Sequence, residues 1–129
     1  RMPASAARLA GVSLENRDAL EVIRDYGTEP TACIYADPPY PGETRAANYR
    51  LEFTAREQHE QFADACRSAK ASVIVSGYAS ALYVDLFAGW HVDELKAPTA
   101  LSGATDRVEV LWSNRAFGNG ALDIWGSDA

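Results

Sequence analysis

Apolar positions along the chain predict short strands that alternate with helices. The predicted strands, which are either continuously apolar or alternate between apolar and polar positions, are Leu9–Leu14, 31–36, Ala71–Ser76, Trp90–Leu95 and Arg107–Ser113. The predicted helices, in which apolar residues recur at helical spacing, are Arg17–Tyr26, Thr54–Ser68 and Ser80–Phe87. The turn-prone stretch 97–103 connects the last two strands.

Capping residues set the expected helix ends. Asn16 is the expected N-cap of the first helix, and Gly27 closes it. Thr54 and Glu57 form a capping box that opens the second helix. This order of elements predicts an α/β fold, with a mostly parallel open sheet that ends in an antiparallel hairpin.

The strand 31–36 leads directly into the sequence Asp37-Pro38-Pro39-Tyr40. Ligand sites of open α/β sheets lie beyond the carboxyl ends of the strands, which is where Asp37 is expected. A plain alternative is a proline turn in which Asp37 caps a loop and Tyr40 covers the edge of the core.

This turn suits the activation of an amine conjugated to an aromatic ring. Such an amine is a poor nucleophile because its lone pair is delocalised into the ring. A carboxylate and a carbonyl that accept its two N–H bonds draw the lone pair back onto nitrogen. Asp37 supplies the carboxylate, the stiff prolines leave carbonyls pointing outward, and Tyr40 offers a flat face for a base.

Further residues on either side of this turn fit the sequence pattern of one enzyme family. An acidic residue opens a helix before the turn, and other positions that fit the pattern follow the turn. These positions are Asp18 within Asn16–Ile23, Thr44-Arg45, Tyr49, Glu52-Phe53-Thr54, Gln58-His59 and the final stretch Arg107–Asn114. Over residues 8–115 the chain resembles DNA adenine methyltransferases of the Dam type, and its spacing is similar to that of phage and prophage members.

The resemblance implies a partial Rossmann-like methyltransferase fold that transfers a methyl group from S-adenosylmethionine to adenine N6 in DNA, without a metal. The residues that it implicates in catalysis are Asp37, Pro38, Pro39 and Tyr40. Those implicated in cofactor binding are Asp18, Ala19 and Asp37. Substrate contacts are expected from Tyr40, Arg45, Tyr49, Tyr78 and Arg107. Asp18 also has a simpler role as a residue that complements the helix dipole, and Arg107 can simply form a surface pair with Glu109.

The chain also departs from the family pattern. The glycine-rich cofactor loop and the target-recognition segment of these enzymes lie before the Asp-Pro-Pro-Tyr turn, and neither occurs among residues 1–36. Residues 1–117 are therefore expected to form the C-terminal half of a catalytic domain, and 118–129 a flexible tail. Since the strand that carries Asp37 would lack a neighbour, we expect self-association or a partner chain that completes the sheet.

Two other functions remain open. The chain can be an inactive or accessory fragment that acts by association. It can also be a methyltransferase for another planar amine, such as RNA adenine or a glutamine amide. Asp rather than Asn at position 37 disfavours the glutamine amide, and Arg45, Tyr49 and Arg107 favour DNA.

Composition refines these expectations. The 129 residues are 47% hydrophobic and carry a formal net charge of −6. That charge opposes unaided binding to a nucleic-acid backbone, because such affinity comes mainly from Lys and Arg. Cys33 and Cys66 are both expected to be buried, and His59 and His91 to be ordinary surface residues. We expect no disulfide, no metal site, no leader or membrane span, and a cytoplasmic location.

Overall fold

The computed structural model describes residues 2–39, 49–95 and 108–116, without the side chains of residues 2 and 49–55. Within these ranges the helices are α1 (Met2–Leu9), α2 (Ala19–Tyr26), α3 (Tyr49–Ser68) and α4 (Ala81–Leu86). The strands are β1 (Cys33–Ala36), β2 (Ser72–Tyr78), β3 (His91–Leu95) and β4 (Glu109–Ser113).

The strands form one open mixed sheet in the order β1-β2-β4-β3. β1 pairs in parallel with β2, and β4 pairs antiparallel with both β2 and β3. The α/β class and the antiparallel pairing of the last two strands are confirmed. The sheet is only partly parallel, however, because β4 lies between β2 and β3 instead of extending the sheet at its edge. The connection from β2 through α4 to β3 leaves one strand position open between β2 and β3, and β4 fills it.

The hydrophobic core lies on one face of the sheet. Val73 and Val75 of β2 and Trp112 of β4 are almost completely buried on this face, where they pack with Cys66 of α3. Ile23 of α2 joins the same cluster. Burial of these apolar side chains is the main favourable term that holds the helices on the sheet.

Aromatic rings form the centre of this core. The ring centroid of Phe87, just after α4, lies 5.5 Å from that of Tyr83, 4.9 Å from that of Trp90 and 6.0 Å from that of Trp112. Phe62 of α3 lies edge-on to Phe87 at 6.2 Å. Because these rings come from α3, α4 and β4 and from the residue before β3, they join elements that are distant in the sequence.

The opposite face of β1 is open. Tyr35 on that face is 64% exposed, and Cys33 is exposed as well. Cys33 was expected to be buried; that expectation is wrong, because β1 has its core side chains only at alternate positions. Among the described residues, no strand pairs with the outer edge of β1.

Three local predictions are wrong. The predicted strand Leu9–Leu14 is absent: α1 extends to Leu9, and Leu14 is 91% exposed, so no face is buried there. The N-cap of α2 is Asp18 and not Asn16. Helix α3 begins at Tyr49, which places the predicted capping box at 54–57 inside the helix.

Gly27 forms the junction between α2 and the sheet. Its carbonyl oxygen accepts hydrogen bonds from the backbone N–H groups of Lys70 (2.7 Å) and Ala71 (3.1 Å), immediately before β2. A Cβ atom at Gly27 would overlap the carbonyl oxygen of Ile23 and lie 3.1 Å from the Cβ of Ala69. The end of α2 can therefore approach the end of α3 only if position 27 has no side chain.

We predict that Gly27→Ala lowers the free energy of unfolding by about 1–3 kcal/mol, the usual cost of overpacking. Urea denaturation followed by circular dichroism measures this change. Gly11→Ala is the matched control, because a Cβ there meets no atom within 4 Å. Equal destabilisation by the two substitutions would contradict the close-approach explanation.

Candidate active site

Asp37 directly follows β1, and the register of the sheet places it beside β2. Ala36 pairs with Val75 in the parallel ladder, so Ser76 is the neighbour of Asp37 on the adjacent strand. The Ser76 hydroxyl donates to Oδ1 of Asp37 at 2.9 Å and lies 3.4 Å from the carbonyl oxygen of Ala36. The carboxylate thus has a partner on a strand that is itself paired on both sides.

The two prolines end the strand. Pro38 is half-buried and Pro39 is exposed, as is Asp37. Since neither proline has an N–H group, neither can donate to a further ladder hydrogen bond. The chain therefore leaves the sheet with the Asp37 carboxylate accessible to solvent.

Other polar side chains lie along the same edge of the sheet. Tyr78, the last residue of β2, is half-buried and pairs with Glu109 of β4. Leu95, the last residue of β3, pairs with Glu109 as well. β1 and β3 thus end, and β4 begins, at the same end of the sheet, which we call the carboxyl edge. Asp37, Ser76, Tyr78 and Glu109 lie there.

Asp18 caps the N-terminus of α2. Its Oδ1 accepts a hydrogen bond from the backbone N–H of Leu20 at 2.8 Å, which satisfies one of the free donors of the first turn. The side chain is exposed, and so is Ala19, the first residue of the helix. Because α2 ends at Gly27 beside the amino end of β2, Asp18 lies at the opposite end of the helix.

The structure therefore brings together some of the predicted site residues and leaves others untested. Asp37, Pro38 and Tyr78 lie at the carboxyl edge of the sheet, and Asp18 and Ala19 begin α2. Pro39 follows at the exposed end of the turn. Outside the described residues lie Tyr40, Arg45, Arg107 and the side chain of Tyr49. Ser76 was not predicted, because only the strand register shows that it faces Asp37.

His59 is a second residue that sequence patterns misjudged. It was expected on the surface, but it is buried on α3, and its Nδ1 lies 2.6 Å from the hydroxyl oxygen of Tyr83. Burial lowers the pKa of His59 and raises that of Tyr83, so both groups are neutral at pH 7. Cys66 is also buried, as expected, and burial raises its pKa to about 12.

A pocket of about 340 Å³ lies between the C-terminal ends of α2 and α3. Its lining includes Arg24, Gly27, Asp64 and Lys70, at the amino edge of the sheet. It is therefore at the opposite end of the strands from Asp37. The open carboxyl edge, with its hydrogen-bonded carboxylate, is the better candidate for chemistry.

The described ranges contain neither a candidate membrane-spanning helix nor a candidate metal cluster. In those ranges, no helix combines the length and apolar character needed to cross a membrane. The same ranges contain no cluster of three or more His, Cys, Asp or Glu residues with the arrangement of a metal site. Comparison of the chain with protein-family models, curated proteins and solved structures finds no match.

We predict that His59 makes stability fall as the pH is lowered. Above its ordinary pKa of 6.5 the imidazole is neutral in both states. Below that value the unfolded chain binds a proton that the buried His59 cannot, which favours unfolding until the pH falls below the lowered pKa of the folded state. In His59→Asn, the free energy of unfolding should depend less on pH between about 7 and 5.

The control is His91→Asn, since His91 is exposed on β3. Urea titrations at several pH values should show the wild-type slope in this variant. If His59→Asn keeps the wild-type slope while His91→Asn loses it, the assignment to the buried histidine is wrong.

Proposed function

We propose that this chain is the catalytic portion of an S-adenosylmethionine-dependent methyltransferase that acts on adenine N6 in DNA, with a partial Rossmann-like fold. The observation that carries the proposal is the position of Asp37. Its carboxylate follows the end of a strand paired in parallel, holds a hydrogen bond to Ser76, and precedes two prolines. This is the edge at which open α/β sheets place their ligands.

In this proposal the target adenine leaves the DNA helix and stacks on Tyr40, because its amine is inaccessible within the base stack. Oδ2 of Asp37 accepts a hydrogen bond from one N–H of the amine, and the carbonyl oxygen of Pro38 accepts one from the other. The lone pair is thereby localised on nitrogen. S-adenosylmethionine supplies an electrophilic methyl group. Transfer of that methyl group to the nitrogen would break the bond between the methyl carbon and sulfur, and the proton lost by the amine would pass to solvent.

No covalent bond to the protein is needed. The contribution of the chain is orientation of the amine and acceptors that are in place before the reaction. Residues Asp37 and Pro38 provide those acceptors, and Tyr40 fixes the plane of the base.

The start of α2 can accommodate the adenosine end of the cofactor. Oδ1 of Asp18 accepts a hydrogen bond from the Leu20 N–H, and Oδ2, at the exposed helix end, would accept a hydrogen bond from the cofactor's exocyclic amine. The adjacent Ala19 has a small, exposed side chain. Asp37 approaches the methionine end from the carboxyl edge of the sheet.

DNA contacts are assigned to Arg45, Tyr49, Tyr78 and Arg107. Tyr78 lies at the carboxyl edge, and Arg107 immediately precedes Val108, where the chain enters that edge. With a net charge of −6, most of the phosphate neutralisation has to come from outside this chain. A DNA-recognition region or partner chain therefore accompanies it.

The open edge of β1 supports a second candidate, an accessory fragment that acts by association. Residues 31–36 contain no charged side chain, and Tyr35 is 64% exposed, so β1 lacks the charges that discourage pairing with another strand. Such a fragment would associate without binding cofactor. A methyltransferase for RNA adenine or a glutamine amide uses the same turn, and substrate competition distinguishes it from a DNA enzyme.

Calorimetric titration with S-adenosylmethionine tests the cofactor assignment. We predict saturable binding by the wild-type chain and an affinity about tenfold lower in Asp18→Asn, corresponding to roughly one lost hydrogen bond. Asn is as good an N-cap as Asp, so the helix keeps its cap. Its amide, however, presents a donor where the carboxylate presents an acceptor.

Thermal unfolding of Asp18→Asn separates cofactor binding from folding, since the substitution should leave the melting temperature close to that of the wild type. Glu29→Gln, a carboxylate exposed in the loop between α2 and β1, is the control and should bind like the wild type. A folded wild-type chain that binds no cofactor would instead support the accessory fragment.

A further inference from the structure

Ser76 has a contact that the proposed chemistry does not itself require. Its hydroxyl carries a single proton, and the acceptor at the shorter distance is Asp37 Oδ1, at 2.9 Å compared with 3.4 Å for the Ala36 carbonyl oxygen. A distance of 2.9 Å lies within the ordinary range for an O–H···O hydrogen bond, whereas 3.4 Å lies outside it.

The two ends of this hydrogen bond differ in mechanical support. Ser76 lies within β2, where its neighbour Val75 pairs with Ala36 of β1 and Ser76 itself pairs with Leu111 of β4. Asp37 lies beyond the last paired residue of β1 and is exposed. A side chain on an internal strand is therefore holding one on a turn, and strands hold side chains more accurately than loops do.

We propose that Ser76 is a positioning residue, which fixes the rotamer of Asp37 and reserves its Oδ2 for the substrate amine. This inference rests on the proposed function. With Oδ1 engaged by Ser76, the carboxylate presents Oδ2 to the amine, and the second N–H is left for the carbonyl of Pro38. Without Ser76, Asp37 rotates in solvent, and the amine loses a preorganised acceptor.

The rotamer of Asp37 tests this inference without any need for turnover. Three-bond couplings between Hα and the two Hβ protons, measured by NMR on the full chain, report the χ1 populations. We expect one dominant χ1 rotamer of Asp37 in the wild type and in Ser76→Thr, which keeps a hydroxyl. In Ser76→Ala, we expect averaged couplings. An unchanged dominant rotamer in Ser76→Ala would overturn the inference.

Ser72→Ala is the matched control. Ser72 lies on the same strand and the same face, but at the amino end, where its Oγ accepts a hydrogen bond from Arg115. Loss of this hydroxyl should leave the couplings of Asp37 unchanged. Averaged couplings in Ser72→Ala as well would show a general loosening of β2 and would also overturn the inference.

Methyl transfer supplies a second test. We expect Ser76→Ala to lower kcat by about tenfold to a hundredfold with KM little changed, because misplacement of a reacting group affects the chemical step. Ser76→Thr should restore most of kcat. If Ser76→Ala turns over like the wild type while Asp37→Ala does not, the positioning role is wrong and the proposed function stands. If Asp37→Ala turns over like the wild type, the proposed function is wrong, and the NMR couplings alone decide whether Ser76 holds Asp37.

Discussion

The parallel pairing of β1 with β2 is the constraint on which the candidate site depends. Because Ala36 is opposite Val75, the residue after β1 meets a side chain within β2, and Asp37 acquires Ser76 as its partner. A slip of one residue would move the alternating side chains of β1 to the other face. Asp37 would then lose Ser76, and Ile34 and Ala36, which pack against the core, would turn away from it.

The core maintains that register from one side. Aromatic rings from α3, α4, β4 and the residue before β3 meet around Phe87, and the buried His59 and Tyr83 form a hydrogen bond within this group. At the amino end of the strands, the side chain of Asn114 extends the ladder by bonding to the backbone of Val73 and Ala71, both at 2.9 Å. At the amino end, side-chain hydrogen bonds thus tie the strands together, whereas the carboxyl edge presents accessible polar groups.

Much of this organisation could be predicted from the sequence, because β1, β2 and the antiparallel pair follow continuous or alternating apolar runs. The errors share a physical cause, which is that local pattern does not specify tertiary partners. Asn16 and Asp18 are equally good N-caps by residue type, and the structure has Asp18 in that position. His59 looks like a surface residue until α4 brings Tyr83 against it. Ser76 becomes a candidate only once the strand register is known. The strand predicted at Leu9–Leu14 fails because its apolar side chains are exposed.

The most direct test of the proposed function is transfer of a labelled methyl group from S-adenosylmethionine to duplex DNA, followed by identification of the methylated base. We predict label on adenine N6 with the wild-type chain, supplied with any partner that completes it. We also predict loss of transfer in Asp37→Ala and wild-type transfer in Asp64→Ala, which removes an exposed carboxylate on α3. Equal transfer by the wild type and Asp37→Ala, or no transfer by a folded wild-type protein that binds the cofactor, would contradict the proposed function.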